Sequence, residues 1–124
     1  AGYHNENFTL NLGNKFDTSK VTRMDYMFYW AGCESDVFTL NLGNKFDMKN
    51  VVNTNNMFYG VAQYSRANFS FSINITGNNV TNYSGMFNGA KGNITVNYTK
   101  ETSNLVDEMI LTGNSNVVKG IQLN

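Results

Sequence analysis

The decapeptide Phe-Thr-Leu-Asn-Leu-Gly-Asn-Lys-Phe-Asp stands at 8–17 and again, unchanged, at 38–47. Ten identical residues at an offset of 30 do not arise by chance, and identical runs take the same local structure wherever their surroundings agree. The offset reaches beyond the decapeptide: Val21 maps onto Val51, and Met27-Phe28-Tyr29 onto Met57-Phe58-Tyr59. What repeats is therefore a whole structural unit. A unit this short cannot bury its own apolar face, so successive copies must stack.

Two degenerate copies follow. Phe71-Ser-Ile-Asn-Ile75 and Val80-Thr-Asn-Tyr-Ser-Gly-Met86-Phe87 supply the two halves of a third unit. At a further offset of 23, Phe71, Ile73 and Ile75 meet Ile94, Val96 and Tyr98, while Tyr83, Met86 and Phe87 meet Val106, Met109 and Ile110. The units are placed at 8–37, 38–67, 68–92 and 93–115, with a closing strand at 116–124, in one domain spanning 1–124. Two registers compete in that last strand, one turning Val117, Lys119 and Ile121 inward and the other Val118, Gly120 and Gln122. Residues 1–7 align with 31–37, so the sequence reads as a piece of a longer array. An uncapped edge at its start would favour self-association.

Each unit changes period in the middle. Phe8, Leu10 and Leu12 alternate with Thr9 and Asn11, as in a half-buried strand. Val21, Met24, Met27 and Phe28 then fall at spacings of three and four, as do Val80, Tyr83, Met86 and Phe87, which predicts a short helix with one apolar stripe. Asp17 or Ser19, and Asp47 in the second unit, are positioned to cap its start. Gly32 and Gly60 mark the return loops. The expected fold is α/β, a leucine-rich-repeat-like solenoid with one short parallel strand and one short helix per repeat. If the strands stack in register, Phe8, Phe38, Phe71 and Ile94 form one inward row.

The segments Phe16-Asp-Thr-Ser-Lys-Val-Thr-Arg-Met-Asp-Tyr-Met-Phe28 and Phe46-Asp-Met-Lys-Asn-Val-Val-Asn-Thr-Asn-Asn-Met-Phe58 resemble the repeat of the BspA-type leucine-rich-repeat proteins of bacterial surfaces, F-D-T-S-x-V-T-x-M-x-x-M-F. The tail, Ser103-Asn-Leu-Val-Asp-Glu-Met-Ile110 with Asn116-Val-Val-Lys-Gly120, is similar to the way such arrays close. The third and fourth units depart from the motif, with Thr76-Gly-Asn-Asn79 and Thr99-Lys-Glu-Thr102 in place of the longer turn. The resemblance implies a solenoid on a secreted or cell-wall protein, extracellular or at the cell surface, active in adhesion and partner binding. It implies no shared catalytic residues.

Composition narrows the function. Nine Lys plus Arg balance nine Asp plus Glu, so the basic excess that holds a nucleic-acid backbone or an anionic bilayer is missing. No apolar stretch approaches the ~20 residues that span a membrane, so this segment is not expected to insert. One cysteine, Cys33, and one histidine, His4, exclude disulfide frameworks and the common zinc sites. As an unpaired thiol Cys33 is open to oxidation into a dimer. Scattered carboxylates suggest neither calcium binding nor glycoside hydrolysis. No cofactor, metal or catalytic residue is expected, and the chain reads as a non-enzyme.

Binding residues follow from the stacking. The outward strand positions make two rows, Thr9, Thr39, Ser72 and Thr95, and Asn11, Asn41, Asn74 and Asn97. Such rows of hydroxyls and amides either present repeated donors and acceptors to a ligand or bond to one another and stiffen the stack. Trp30 and Tyr64 in the return loops are candidates for an aromatic platform, whereas Tyr29 and Tyr59, next to the Met-Phe pairs, are expected in the core. Sequons occur at Asn7, Asn68, Asn74, Asn79, Asn82, Asn93 and Asn97, a number that the 22 asparagines make unsurprising. The leading expectation is a recognition or adhesion module for a host or cell-surface protein or glycan. A structural spacer without a ligand of its own, and a carbohydrate-binding module using the exposed aromatics, are the alternatives.

Overall fold

A computed structural model of the chain describes residues 7–35, 37–43, 45–64 and 69–124, with the side chains of Asn7, Phe8 and Val37 outside that description. The fold is mixed α/β. Its elements are β1 (Asn7–Asn11), β2 (Val37–Asn41), β3 (Ser70–Ile75), β4 (Asn93–Tyr98), α1 (Ser103–Ile110) and β5 (Val117–Gln122). Among the described residues all strand pairing is parallel and falls into two open sheets, β1-β2 and β3-β4-β5.

The alternating pattern sets the strands. Phe38 and Leu40 are buried while Thr39 and Asn41 are exposed, and Ile73 and Ile75 are buried while Ser72 and Asn74 are exposed. Because a slip of one residue would turn each apolar set outward, this burial also fixes the register. The identical decapeptides pair residue on residue, Phe8 beside Phe38 and Asn11 beside Asn41. Phe71 pairs with Ile94 and Asn74 with Asn97.

The helix expected in each unit forms only in the fourth, as α1, which buries Val106 and Met109. Elsewhere the chain runs through tight turns at 25–30, 55–60 and 84–89. The amides there divide their work. Met27, Tyr29 and Ala31 donate to the carbonyls of Met24, Tyr26 and Phe28 in their own unit. Met24, Tyr26, Phe28 and Trp30 donate to Asn53, Asn55, Met57 and Tyr59 of the next. An α-helix sends its interior amides along its own axis and leaves none for a neighbour; here every second amide joins one unit to the next. Turns closed over three residues give nearly the apolar spacing of a helix, so Met24, Phe28, Met57, Phe58, Met86 and Phe87 are buried as the pattern requires. The expected caps close turns instead of helices: Asp17 Oδ1 accepts from the Ser19 amide at 2.9 Å and Asp47 Oδ1 from the Lys49 amide at 2.8 Å.

Buried threonines tie the units together. The Thr18 hydroxyl donates to the Asp47 carbonyl at 2.7 Å and accepts from the Asp47 amide at 2.6 Å. Thr102 donates to the Ile75 carbonyl at 2.7 Å. Along the core, Phe28, Phe58 and Phe87 form a column of stacked rings with centroids 5.3 and 5.4 Å apart.

The inward row breaks once. Phe38 does not sit beside Phe71; its ring meets Phe69, 4.7 Å away, and β2 and β3 are not hydrogen-bonded. Turn length explains the break. From Phe38 to Val51 the chain has thirteen steps, and from Phe71 to Val80 only nine, so two unit types of different girth meet here. They still join on the turn side, where Thr54, Asn56, Phe58 and Gly60 donate to Asn82, Ser84, Met86 and Asn88.

In β5 each competing register holds for part of the strand. Val117 faces inward opposite Ile94, and the ladder then shifts so that Gln122 stands opposite Tyr98. Gly120 sits at the shift, where a Cβ would strike Asn97 Oδ1. That amide oxygen accepts from the Ile121 N–H at 3.0 Å. The leading edge proposed for self-association, with His4 and most of the 1–7 alignment, lies outside the described residues.

Candidate functional site

The broken row leaves a groove on the strand face. It lies between β2 and β3, has a volume of about 490 Å³, and is lined on one side by Thr39 to Gly43, from β2 and the turn after it, and along β3 by Ser70 to Asn74, with Phe46 at one end. Its rims are polar, Thr39 and Asn41 on one side and Ser72 and Asn74 on the other. Leu40, Leu42, Phe71 and Ile73 supply its apolar lining. A second depression of about 720 Å³ shares Phe46 and Asn74 with it and continues past Lys45, Lys49, Asp17 and Asp47. Charges of both signs flank this extension. The Ser19 backbone N–H, with a smaller contribution from its side chain, holds the Asp17 carboxyl below the usual carboxylate range.

The outward rows run across this face. Thr9, Asn11, Thr39, Asn41, Ser72 and Asn74 are exposed and Thr95 and Asn97 half-buried. Their asparagines do different things. Asn11 Oδ1 accepts from the Gly13 amide and Asn41 Oδ1 from the Gly43 amide, each at 2.9 Å, so both close their own turns. Asn97 Nδ2 donates to Asn74 Oδ1 at 3.0 Å, and this pair forms a true amide ladder. The two fates follow from turn length, since only the longer units place a glycine amide two residues on.

The aromatic candidates also come together. Trp30 lies 6.5 Å from Tyr64 and 6.4 Å from Tyr59 between ring centroids. Tyr29 stacks on Tyr59 at 5.3 Å, and Tyr26 meets Tyr29 edge-on at 5.3 Å. Tyr29 is 42% exposed and Tyr59 half-buried, so the expectation of core packing is corrected: without a helix to turn them inward, they stack on the surface. Tyr26 and Trp30 hold φ of 61° and 60°, a left-handed conformation costly for bulky residues. At the matching places of the next units stand Asn56, Gly60, Gly85 and Gly89, also at positive φ.

Cys33 is fully buried, which corrects its expected oxidation to a dimer: the folded chain offers no exposed thiol there. Burial, reinforced by the charge of Glu34, pushes the thiol's pKa up. Among the described residues no group of three or more His, Cys, Asp or Glu is placed to hold a metal ion, and no helix is long and apolar enough to cross a membrane.

A family model described as Mycoplasma protein of unknown function, DUF285, matches residues 3–103. The chain belongs to the DUF285 family. DUF285 is a repeat family related to the BspA-like surface repeats, and the match takes in β1 to β4 with the whole groove. No curated protein and no solved structure matches the chain.

Sequence reasoning found the rims of the groove and missed its apolar lining. Leu40, Leu42, Phe71 and Ile73 occupy inward positions, which alternation assigns to the core. The available signal was the change from thirteen to nine steps between strand and turn. Tyr26, Tyr29 and Tyr59 were legible as aromatics but not as members of one surface cluster.

Proposed function

We propose that this DUF285 domain is a non-catalytic recognition module of the extracellular or cell-surface environment, binding a protein or glycan partner across the groove between β2 and β3. Its units continue one another in this reading as a leucine-rich-repeat-like solenoid of the BspA type. The observation that carries it is the interruption of the strand face between β2 and β3, where apolar side chains and two polar rims border the same opening. A continuous sheet would leave only exposed hydroxyls and amides for a partner to grip. The groove adds apolar contact from the half-buried Leu42, Phe46 and Phe71.

The test replaces Asn41 and Asn74 by Arg in one variant and measures retention on immobilised extracellular-matrix proteins, on host-cell surfaces and on a glycan array. Loss of retention with an unchanged unfolding midpoint supports the module. Equal retention by both proteins favours a spacer.

The strained aromatics favour a second reading. Tyr26 and Trp30 keep bulky rings at positions where Asn or Gly would relax the backbone, and strain of this kind gathers at binding sites. A carbohydrate-binding face over Trp30, Tyr59 and Tyr64 would show as glycan-dependent quenching of Trp30 fluorescence. Flat titrations across a glycan panel exclude it.

A further inference from the structure

We infer that the groove between β2 and β3 accepts an extended polypeptide segment of a partner, which enters as a parallel strand and joins the two sheets into one. This rests on the groove reading above and names the occupant. The chemistry comes from the two strand edges. Asn41 directs its carbonyl to β1, where it accepts from the Leu12 amide at 2.9 Å, so by strand alternation Leu40 directs its N–H and C=O into the groove. Phe69 directs its carbonyl to β4, accepting from the Asn93 amide at 2.7 Å, so Ser72 likewise faces the groove from the other side. Among the described residues no ladder bond joins β2 to β3.

Two parallel edges with alternating donors and acceptors call for one kind of occupant. A strand carries an N–H and a C=O on each residue and turns them to alternate sides, so a single inserted segment serves both edges together. A sugar has no such alternation. The side chains agree. An entering strand with apolar residues at every second position would set them against the half-buried Leu42 and Phe71, and its polar residues would lie level with Thr39 and Ser72. The five residues that line one side of the groove, Thr39 to Gly43, span about 16 Å when extended, so four or five residues fill it.

The opening is also held open. Phe38 packs on Phe69 and Phe71 on Phe58 at 5.2 Å in the core beneath the opening, while the backbone hydrogen bonds donated by Thr54, Asn56, Phe58 and Gly60 fix the turn sides. A preformed gap spares the occupant the cost of opening it.

The probe is a fluorescein-labelled peptide with the alternating sequence of residues 7–12, Asn-Phe-Thr-Leu-Asn-Leu, blocked at both ends. Fluorescence anisotropy should give saturable binding. N-methylation of every second amide, tried on each alternate set, should weaken it at least tenfold, because either set removes one edge's donors and leaves the side chains unchanged. Hydrogen exchange at Leu40 and Ser72 should slow at least tenfold in the complex. Ser72→Pro removes a donor that faces only the groove and should lose the peptide; if that variant fails to fold, the methylated peptides decide the matter on the unaltered chain. Equal binding of the methylated peptides, protection at the β5 edge instead of the groove, or no saturable binding overturns strand insertion. A glycan or protein retained on the arrays and lost with Asn41→Arg and Asn74→Arg would then leave the recognition module standing without it.

Discussion

The ring of Phe58 lies face to face with that of Phe87, centroids 5.4 Å apart and planes 3° from parallel. Phe28 covers its other face at 5.3 Å, and Phe71 touches it from the strand side at 5.2 Å. Phe58 thus joins the rings of Phe28 and Phe87 to Phe71 of the groove lining. Truncating it removes a fully buried side chain that its stacked neighbours cannot close over. Phe58→Ala should cost about 3–5 kcal/mol, read as a lowered midpoint in urea. A loss below about 1 kcal/mol would mean that the column collapses freely or does not exist.

Gly43 tests the strand-end contact of the first two units. A Cβ there would strike the carbonyl oxygen of Gly13, and φ is 79°. Both effects oppose alanine. The left-handed backbone costs roughly 1–2 kcal/mol for an L-residue, and forced repacking adds about 1–3 kcal/mol. Gly43→Ala should therefore destabilise by about 2–5 kcal/mol, summed from those two terms. Gly13 has the same φ region, but a Cβ there meets nothing within 4 Å. Gly13→Ala should lose only the backbone part, and equal losses at the two sites would refute the contact.

How far the sequence carried is clear from these two positions. The decapeptide repeat announced that Gly43 lies beside Gly13, and alternation announced which side of each strand is wet. Those are local patterns copied from unit to unit. The apolar spacing at 25–30 and 55–60 suits a helix as well as a three-residue turn; what separates them is the destination of every second amide, which only the neighbouring unit decides. The groove was hidden for a related reason. Its cause is a mismatch in girth between units 2 and 3, and neither unit shows it alone. The aromatic cluster needed the same stacking information, since Tyr29 and Tyr59 stand 30 residues apart in the chain.

Tyr26 offers a stabilising substitution. Its φ of 61° costs roughly 1–2 kcal/mol, and the matching residue of the next unit, Asn56, holds φ 56° with a side chain that tolerates it. Against this stands the edge contact with Tyr29, worth about 0.5 kcal/mol for a ring that is more than half exposed. The backbone effect wins. Tyr26→Asn should raise stability by about 0.5–1.5 kcal/mol, the difference of those terms, measured in urea. If the aromatic cluster binds glycans, the same variant should bind them less well, and a stabilised variant with full glycan binding would separate the strain from function.

Cys33 links burial to pH. Desolvation, with the Glu34 charge as the smaller cause, raises its pKa in the folded chain above the ordinary 9.0. Below pH 9 the thiol is protonated whether the chain is folded or not, and the full stability is present. Above pH 9 the unfolded chain releases this proton and the folded chain does not, so the unfolded state binds fewer protons and stability falls as pH rises. Cys33→Ala should flatten that part of the stability curve between pH 8.5 and 10 while leaving the acid side unchanged. The same burial predicts the thiol's reactivity. At pH 8 a disulfide reagent should modify Cys33 only as fast as the chain opens, so the labelling rate should climb with urea in step with unfolding. Rapid labelling without denaturant, at the rate of a free cysteine, would show that the loop around Cys33 opens on its own and would return oxidative dimerisation to consideration.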